Sequence, residues 1–450
     1  MKGKSHEMDM CNGPIFSKLV IFAIPVMLSG FLQLLFNAAD VIVVGRFAGE
    51  NALAAVGSTS SLVNLLVNLF MGLSVGTNVL VARFAGAGAR DDVKKTVHTA
   101  ILTAVYSGLI LVLIGLFFTK PLLILMGSPQ EVLPLSAIYL KIFFVGMPAM
   151  MVYNFGSAIL RAVGDTRRPM LYLTVAGILN VCLNLFFVII CHLSVVGVAL
   201  ATTLSQVLSA SLVIWALMKE EGICHLELKE LHIYKEKFLQ LVRIGLPAGM
   251  QGMIFSISNV LIQSSINSFG AVAMAGNTAA ASVEGFVYVS MNSMHQTAIS
   301  FVSQNYGAQN FKRIRKIVCY CIGMVTVIGL VMGNGAYLIS GRLLSFYSNK
   351  SEVIAYGVVR LLYIATPYFI CGIMDTLVGV IRGLGYSLMP TIVSLIGACG
   401  FRVLWIYTIF PIHRTLPCLY VSYPISWIMT AMVHMICLFV VSKKRMKLRE

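Results

Sequence analysis

The chain has 450 residues, 58% of them apolar and only 11% charged. That is too little charge to cover the surface of an aqueous globule of this size, so an ordinary soluble enzyme is excluded. The net charge of +16 would suit nucleic acid as a partner, but its distribution points to a membrane.

Twelve apolar runs recur along the chain, each long enough to cross a ~30 Å hydrocarbon core as a helix. They centre on residues 19–45, 53–82, 96–119, 133–158, 170–192 and 195–218, and then on 238–265, 271–303, 317–340, 354–381, 388–411 and 416–441. Their length and continuity argue against a barrel of ~10-residue alternating strands. The first run carries Asp40 and lacks a cleavage site behind a short apolar core, so we expect it to be a retained span, not a signal peptide. The longest polar interruption, 219–237, is read as a linker between two six-span halves, 15–218 and 238–442. The expected fold is an all-α integral membrane protein of twelve spans in two pseudo-symmetric lobes.

With the N-terminus inside, 25 of the 33 Lys and Arg fall in cytoplasmic segments. External loops hold Arg46, Lys120, Arg342, Lys350 and Arg414, while Lys141, Arg360 and Arg402 lie within spans. This asymmetry predicts both termini on the cytoplasmic side. The basic tail Lys443, Lys444, Arg445, Lys447 and Arg449 suits an anionic leaflet, and no nucleic-acid partner is expected. The ten cysteines contain no C-x2-C pair and read as packing residues.

The chain repeats itself. Arg161-Ala162-Val163-Gly164 running to Pro169 matches Arg382-Gly383-Leu384-Gly385 running to Pro390, at an offset of 221. Val93–Val97 matches Ile314–Val318, and Gly86-Ala87 matches Gly307-Ala308, at the same offset. Pro25 pairs with Pro247 and Pro148 with Pro367, within three residues of that offset. Apolar resemblance alone would not keep Pro, Gly and basic residues in step, so the chain is a duplicated unit. Six spans per copy is an even number, which makes the repeat parallel. Duplication in a membrane protein points to transport, and prolines that bend equivalent helices suit either hinges or static kinks. For Pro25 we expect a moving hinge, because its helix also carries a carboxylate. No loop is long enough for a soluble catalytic domain, so an enzyme is not expected.

Ionisable groups in hydrocarbon cost several kcal/mol and ask for a function. Three acids fall within spans: Asp40, Glu284 and Asp375. Asn37 lies one turn before Asp40, Asn180 and Asn184 share a face of the fifth span, and the sixth offers Thr202, Thr203 and Ser205. A carboxylate, two amides and a hydroxyl would bind a proton or a small monovalent cation through oxygen ligands. Interhelical hydrogen bonding that only holds the bundle together is the alternative for the amides. In the second copy Glu284 stands opposite Asn64 and Asp375 opposite Asn154, while Asp40 stands opposite Ile262. The two second-copy acids would serve a further cation site or pair with Arg360 or Arg402. His295 suits a proton relay or a satisfied polar contact.

The string IPVMLSGFLQLLFNAADVIVVGRFAGENALAAVG (Ile24 to Gly57), the turn RFAGAGA, the loop LRAVGDTRRPM and their counterparts GLPAGM, FVSQNYGAQN and VIRGLGYSLMP resemble multidrug and toxic compound extrusion (MATE) transporters. The resemblance covers roughly 15–440. It implies export of organic, often cationic or amphiphilic compounds, driven by inward flow of Na⁺ or H⁺ and needing no other cofactor. It also implies a first-lobe cation site made of an acid on span one with polar groups on spans five and six, which here are Asp40, Asn180, Asn184 and Thr202. In the family the position of Asn184 often carries a second carboxylate. Some members use acids on spans seven and ten; Asp375 matches the latter, but span seven has only Ser256 near the expected place, unless Glu284 substitutes.

The expected protein is therefore a cation-coupled multidrug antiporter of a bacterial cytoplasmic membrane, acting as a monomer on amphiphilic small molecules. Any metal would be a Na⁺ at Asp40. A lipid-linked oligosaccharide flippase would want more intramembrane Lys and Arg than the three present. A channel or sensor would show flux without counter-transport.

Overall fold

The computed structural model describes residues 7–126 and 129–447. Arg449 of the basic tail lies outside them. Among the described residues the chain is helical and has no strand. The helices are α1 (Ile15–Phe47), α2 (Glu50–Gly86), α3 (Arg90–Leu125), α4 (Leu133–Val145), α5 (Met147–Ala162), α6 (Arg167–Leu185) and α7 (Ser194–Lys219). There follow α8 (Lys235–Asn267), α9 (Ala271–Gly307), α10 (Phe311–Leu338), α11 (Ser340–Ser345), α12 (Ser351–Ile364), α13 (Tyr368–Gly383), α14 (Leu388–Ser394), α15 (Phe401–Thr408) and α16 (Leu416–Lys447). A π-helical turn, Phe186–Ile190, extends α6, and another, Leu395–Gly400, joins α14 to α15.

Nine stretches of helix are long and apolar enough to cross a membrane, and two bent pairs bring the number to eleven among the described residues. The pairs are α4 with α5, bent by 46°, and α12 with α13, bent by 49°. Proline explains both bends. Pro148 opens the first turn of α5 and Pro367 caps α13, places where the missing N–H costs nothing and the preceding helix cannot continue. The twelfth expected span is α9, whose 37 residues give the length without the apolarity. Its polar residues are turned inward: Asn277, Glu284, Ser290, Ser293, His295 and Thr297 are all buried. The outer surface is apolar, as a lipid-facing one should be, with Phe117 70% and Phe439 68% exposed.

The duplication extends to the backbone. Gly164 and Gly385 close the two Arg-x-x-Gly turns with φ of 89° and 92°, and Gly49 and Gly270 precede α2 and α9 with φ of 89° and 94°. Only glycine adopts such angles without steric cost. At the third such pair, Gly88 answers to Gln309, whose φ is 59°.

The chain forms two compact units. One comprises Met1–Met10 and Leu28–Gly249, the other Cys11–Met27 and Met250–Glu450. Helices α1 and α8 each change unit two residues beyond their internal prolines, Pro25 and Pro247. In the first unit the start of α8 is bound through glycines. Gly72 and Gly76 of α2 meet Gly245 and Gly249 of α8 so closely that a Cβ on Gly245 would lie 2.6 Å from Leu73 Cα. Both pairs are G-x-x-x-G, the spacing that lets helix backbones touch in a membrane. In the second unit the start of α1 is held by aromatic contact, Phe22 lying edge-on to Phe301 of α9 at 5.4 Å.

The polar segment after α7 is fixed to α3 within the first unit. Lys94 pairs with Glu227 at 3.0 Å and Glu230 at 2.6 Å, Lys237 pairs with Asp92 at 2.6 Å, and the Tyr234 amide donates to Thr99 Oγ1 at 3.1 Å.

Candidate ion-coupling site

In the first unit, α1, α6 and α7 bring four polar side chains into one line. Asn184 Nδ2 donates to Asp40 Oδ1 at 2.5 Å and to Asn180 Oδ1 at 3.2 Å. Asn180 Nδ2 donates to Thr202 Oγ1 at 3.4 Å, and that hydroxyl donates to the Val198 carbonyl at 3.0 Å. The amides share a face because they are four residues apart on α6. Gly177 sets the approach of α1, since a Cβ there would overlap the Phe36 ring. Asp40 follows Phe36 by one turn and Asn184 follows Gly177 by two, so the close contact brings the carboxylate beside the amide.

Asn180 and Asn184 are buried and Asp40 is half-buried. The described residues place no cation against Asp40; its hydrogen-bond partner is a neutral amide. Among the described residues, Asn184 Oδ1 is buried and has no hydrogen-bond partner. The donor set around the carboxylate is therefore amide and hydroxyl oxygen, hard ligands suited to a proton or an alkali cation. Other expected contributors stay outside this line. Asn37 is exposed, Thr203 Oγ1 donates to the Ile142 carbonyl, and the Ser205 hydroxyl is buried without a partner among the described residues.

The second unit holds its acids differently. Glu284 on α9 is bound by Arg360 on α12 through two parallel contacts, Nε to Oε1 at 2.9 Å and Nη2 to Oε2 at 2.7 Å. Asp375 on α13 is half-buried; among the described residues its carboxylate makes no hydrogen bond or salt bridge, and the guanidiniums of Arg382 and Arg402 lie within electrostatic reach. Arg382 donates to Gln251 Oε1 at 2.8 Å, and Arg402 donates to Ser426 Oγ at 2.9 Å while lying over the Tyr423 ring. His295 Nδ1 is 2.6 Å from the Asp375 carbonyl, which makes it the protonated ring nitrogen and gives His295 a satisfied contact. Ser256 donates to the Gly252 carbonyl at 3.1 Å.

Sequence reasoning missed Asn277 and Tyr420, which lie against Arg360, and Gln263, which accepts from the Asn277 amide. Asn277 was findable, because it lies seven residues before Glu284, on the same face of one helix.

The chain is similar to known proteins over almost its whole length. The MatE family model matches it twice, over residues 25–186 and 247–408. It is 28% identical over 397 residues to "Probable multidrug resistance protein YoeA" of Bacillus subtilis (strain 168), covering 86% of each chain. It is 22% identical over 398 residues to "Multidrug export protein MepA" of Staphylococcus aureus (strain MSSA476), covering 88% of each. The solved structure of a mutant of the Vibrio cholerae MATE transporter VcmN superposes with a TM-score of 0.87 at 20% identity, covering 96% of this chain and 97% of that one. The matched stretches fall one in each copy of the repeat, the first holds Asp40, Asn180 and Asn184, and the chain belongs to the MatE family of multi-pass membrane transporters, which are not enzymes.

Proposed function

We propose that this protein is a secondary-active multidrug antiporter that exports amphiphilic, often cationic organic compounds in exchange for Na⁺ or H⁺. The observation that carries this reading is the Asp40 line: an intramembrane carboxylate held by a neutral amide whose own oxygen is buried and free to accept. In the ion-free state Asn184 N–H stabilises the Asp40 carboxylate. When a proton or Na⁺ arrives, rotation of the same amide presents its oxygen, so Asn184 can serve both charge states of Asp40. Asn180 and Thr202 orient that amide from behind.

Pro25 is the hinge in this reading. The half of α1 that carries Asp40 belongs to the first unit and the half before Pro25 to the second, so a change at Asp40 is conveyed along one helix whose backbone ladder is interrupted between them. We take 15–218 and 238–442 as the two halves of the repeat in sequence, joined by 219–237, with the stretches before Pro25 and Pro247 exchanged between the compact units. The protein acts as a monomer in a bacterial cytoplasmic membrane, with both termini in the cytoplasm and no nucleic-acid partner. The relatives named for multidrug resistance and multidrug export support the substrate class.

The test is Asp40→Asn. The variant should reach the membrane at native levels and lose drug resistance and dye efflux; wild-type efflux would refute the assignment. Efflux from proteoliposomes under separately imposed Na⁺ and pH gradients identifies the ion.

A further inference from the structure

The second unit contains a group built from the same chemical parts as the Asp40 line, already filled by the protein itself. Glu284 supplies a carboxylate, Asn277 an amide oxygen and Tyr420 a hydroxyl. At their centre lies a guanidinium. Arg360 donates to both Glu284 oxygens, and its Nη1 donates to Asn277 Oδ1 at 2.5 Å. The same Asn277 oxygen accepts from Tyr420 at 3.2 Å, while Asn277 Nδ2 donates to Gln263 Oε1 at 3.0 Å. Glu284 is 4% exposed, Arg360 8% and Asn277 2%.

The repeat shows how this arrangement differs from the first copy. At the offset that relates Pro148 to Pro367, Arg360 answers to Lys141, which is exposed. Glu284 answers to Asn64, which has no charge. The second copy has both the acid and an inward-turned cation, and the first copy has neither. A guanidinium cannot deprotonate at any working pH and is covalently tied to its helix, so it neither titrates nor exchanges.

We infer that Arg360 is a tethered cation that permanently fills the Glu284 site of the second unit, so that Glu284 takes no part in binding the coupling ion. This rests on the reading of Asp40 as the coupling group and extends it. It treats Glu284 as a latent cation site that Arg360 keeps closed. Removing the guanidinium while keeping the carboxylate would open that site to Na⁺ or H⁺.

The test uses the purified full-length protein and follows its thermal unfolding midpoint against Na⁺ at fixed pH, and against pH without Na⁺. The ion response is the part that differs among the variants, since the Lys94–Glu227 contact and other loop acids titrate alike in all of them. Asp40→Asn should abolish the ion response. Adding Arg360→Met to that variant should restore it, through Glu284, and adding Glu284→Gln as well should abolish it again. A folded Asp40→Asn, Arg360→Met protein with no ion response overturns the inference and leaves Asp40 in place as the coupling group. An ion response that survives in Asp40→Asn alone overturns the reading of Asp40 instead. Leaving one partner of a buried pair uncompensated can prevent folding. If it does, the charge-neutral double variant Glu284→Gln, Arg360→Met carries the test: efflux with wild-type ion dependence is expected, and loss of that dependence in the folded protein overturns the inference.

Discussion

Replacing Asn184 by aspartate puts a second carboxylate where the amide nitrogen now lies 2.5 Å from Asp40 Oδ1. The change is nearly isosteric, so packing around the fully buried side chain should be kept. Its effect is electrostatic. A bound monocation about 4 Å from the new charge gains about 4 kcal/mol at an effective dielectric of ~20. Dehydrating a second carboxylate opposes this, and a net gain of about 1–3 kcal/mol corresponds to ~5- to 150-fold tighter ion binding. The ion then leaves more slowly, so the half-saturating concentration of the coupling ion should fall about tenfold or more while maximal efflux also falls. The assay is efflux of a fluorescent cationic dye from proteoliposomes, titrated with Na⁺ at fixed pH and with H⁺ in the absence of Na⁺. An Asn184→Asp protein that reconstitutes normally, with unchanged half-saturation for both ions, would refute the assignment of the Asp40 line as the ion site.

Other consequences can be checked separately. Gly245→Leu forces a side chain into the backbone of α2, where even a Cβ would lie 2.6 Å from Leu73 Cα. It should cost at least the ~1–3 kcal/mol typical of overpacking and lower the thermal midpoint. Gly323→Ala and Gly335→Ala, which add a methyl into open space on α10, should be neutral or stabilising in the same assay. The segment after α7 should respond to pH. Lys94 holds Glu227 below the ordinary carboxylate range through its hydrogen bond, so that contribution is present above pH 4.5 and lost as pH falls through the lowered value. The protonated form of Lys94 is favoured by its hydrogen bond to Glu230, so that side of the contact persists below pH 10.5 and is lost only as pH rises through the raised value. Hydrogen exchange at the Tyr234 amide, corrected for intrinsic rate, should therefore accelerate below pH 4.5, and Lys94→Ala should remove that dependence.

Much of the architecture was legible because membrane folding is read from local runs of apolar residues. Prolines at 148 and 367 marked where helices restart, those at 25 and 247 lie two residues before α1 and α8 change unit, and a two-residue Arg–Gly signature marked turns that the backbone repeats at Gly164 and Gly385. Asp40, Asn180 and Asn184 stood out by chemistry and by the four-residue spacing of the two amides, Thr202 was picked out from its neighbours by the family resemblance, and the four fall into one hydrogen-bonded line. What stayed hidden is non-local. Glu284 and Arg360 are 76 residues apart, and nothing in either helix says which of several arginines would turn inward. The meeting of Gly72 and Gly76 with Gly245 and Gly249 likewise depends on which helices become neighbours. The polar composition of α9 hides a span, since many of its polar side chains, Asn277, Glu284 and His295 among them, are buried and bonded inside the second unit.

The exchange of half-helices at Pro25 and Pro247 also bears on how the duplication can be taken apart. A cut through 219–237 looks like the natural way to separate two copies, yet it would leave the first fragment carrying Cys11–Met27, which belongs to the second unit. The second fragment would keep Lys235–Gly249, which belongs to the first. Each fragment would thus lack a piece of its own unit and hold a piece of the other. Co-expressed fragments should complement one another, whereas either alone should be degraded. On this topology the two fragments are companions, each completing the other's unit.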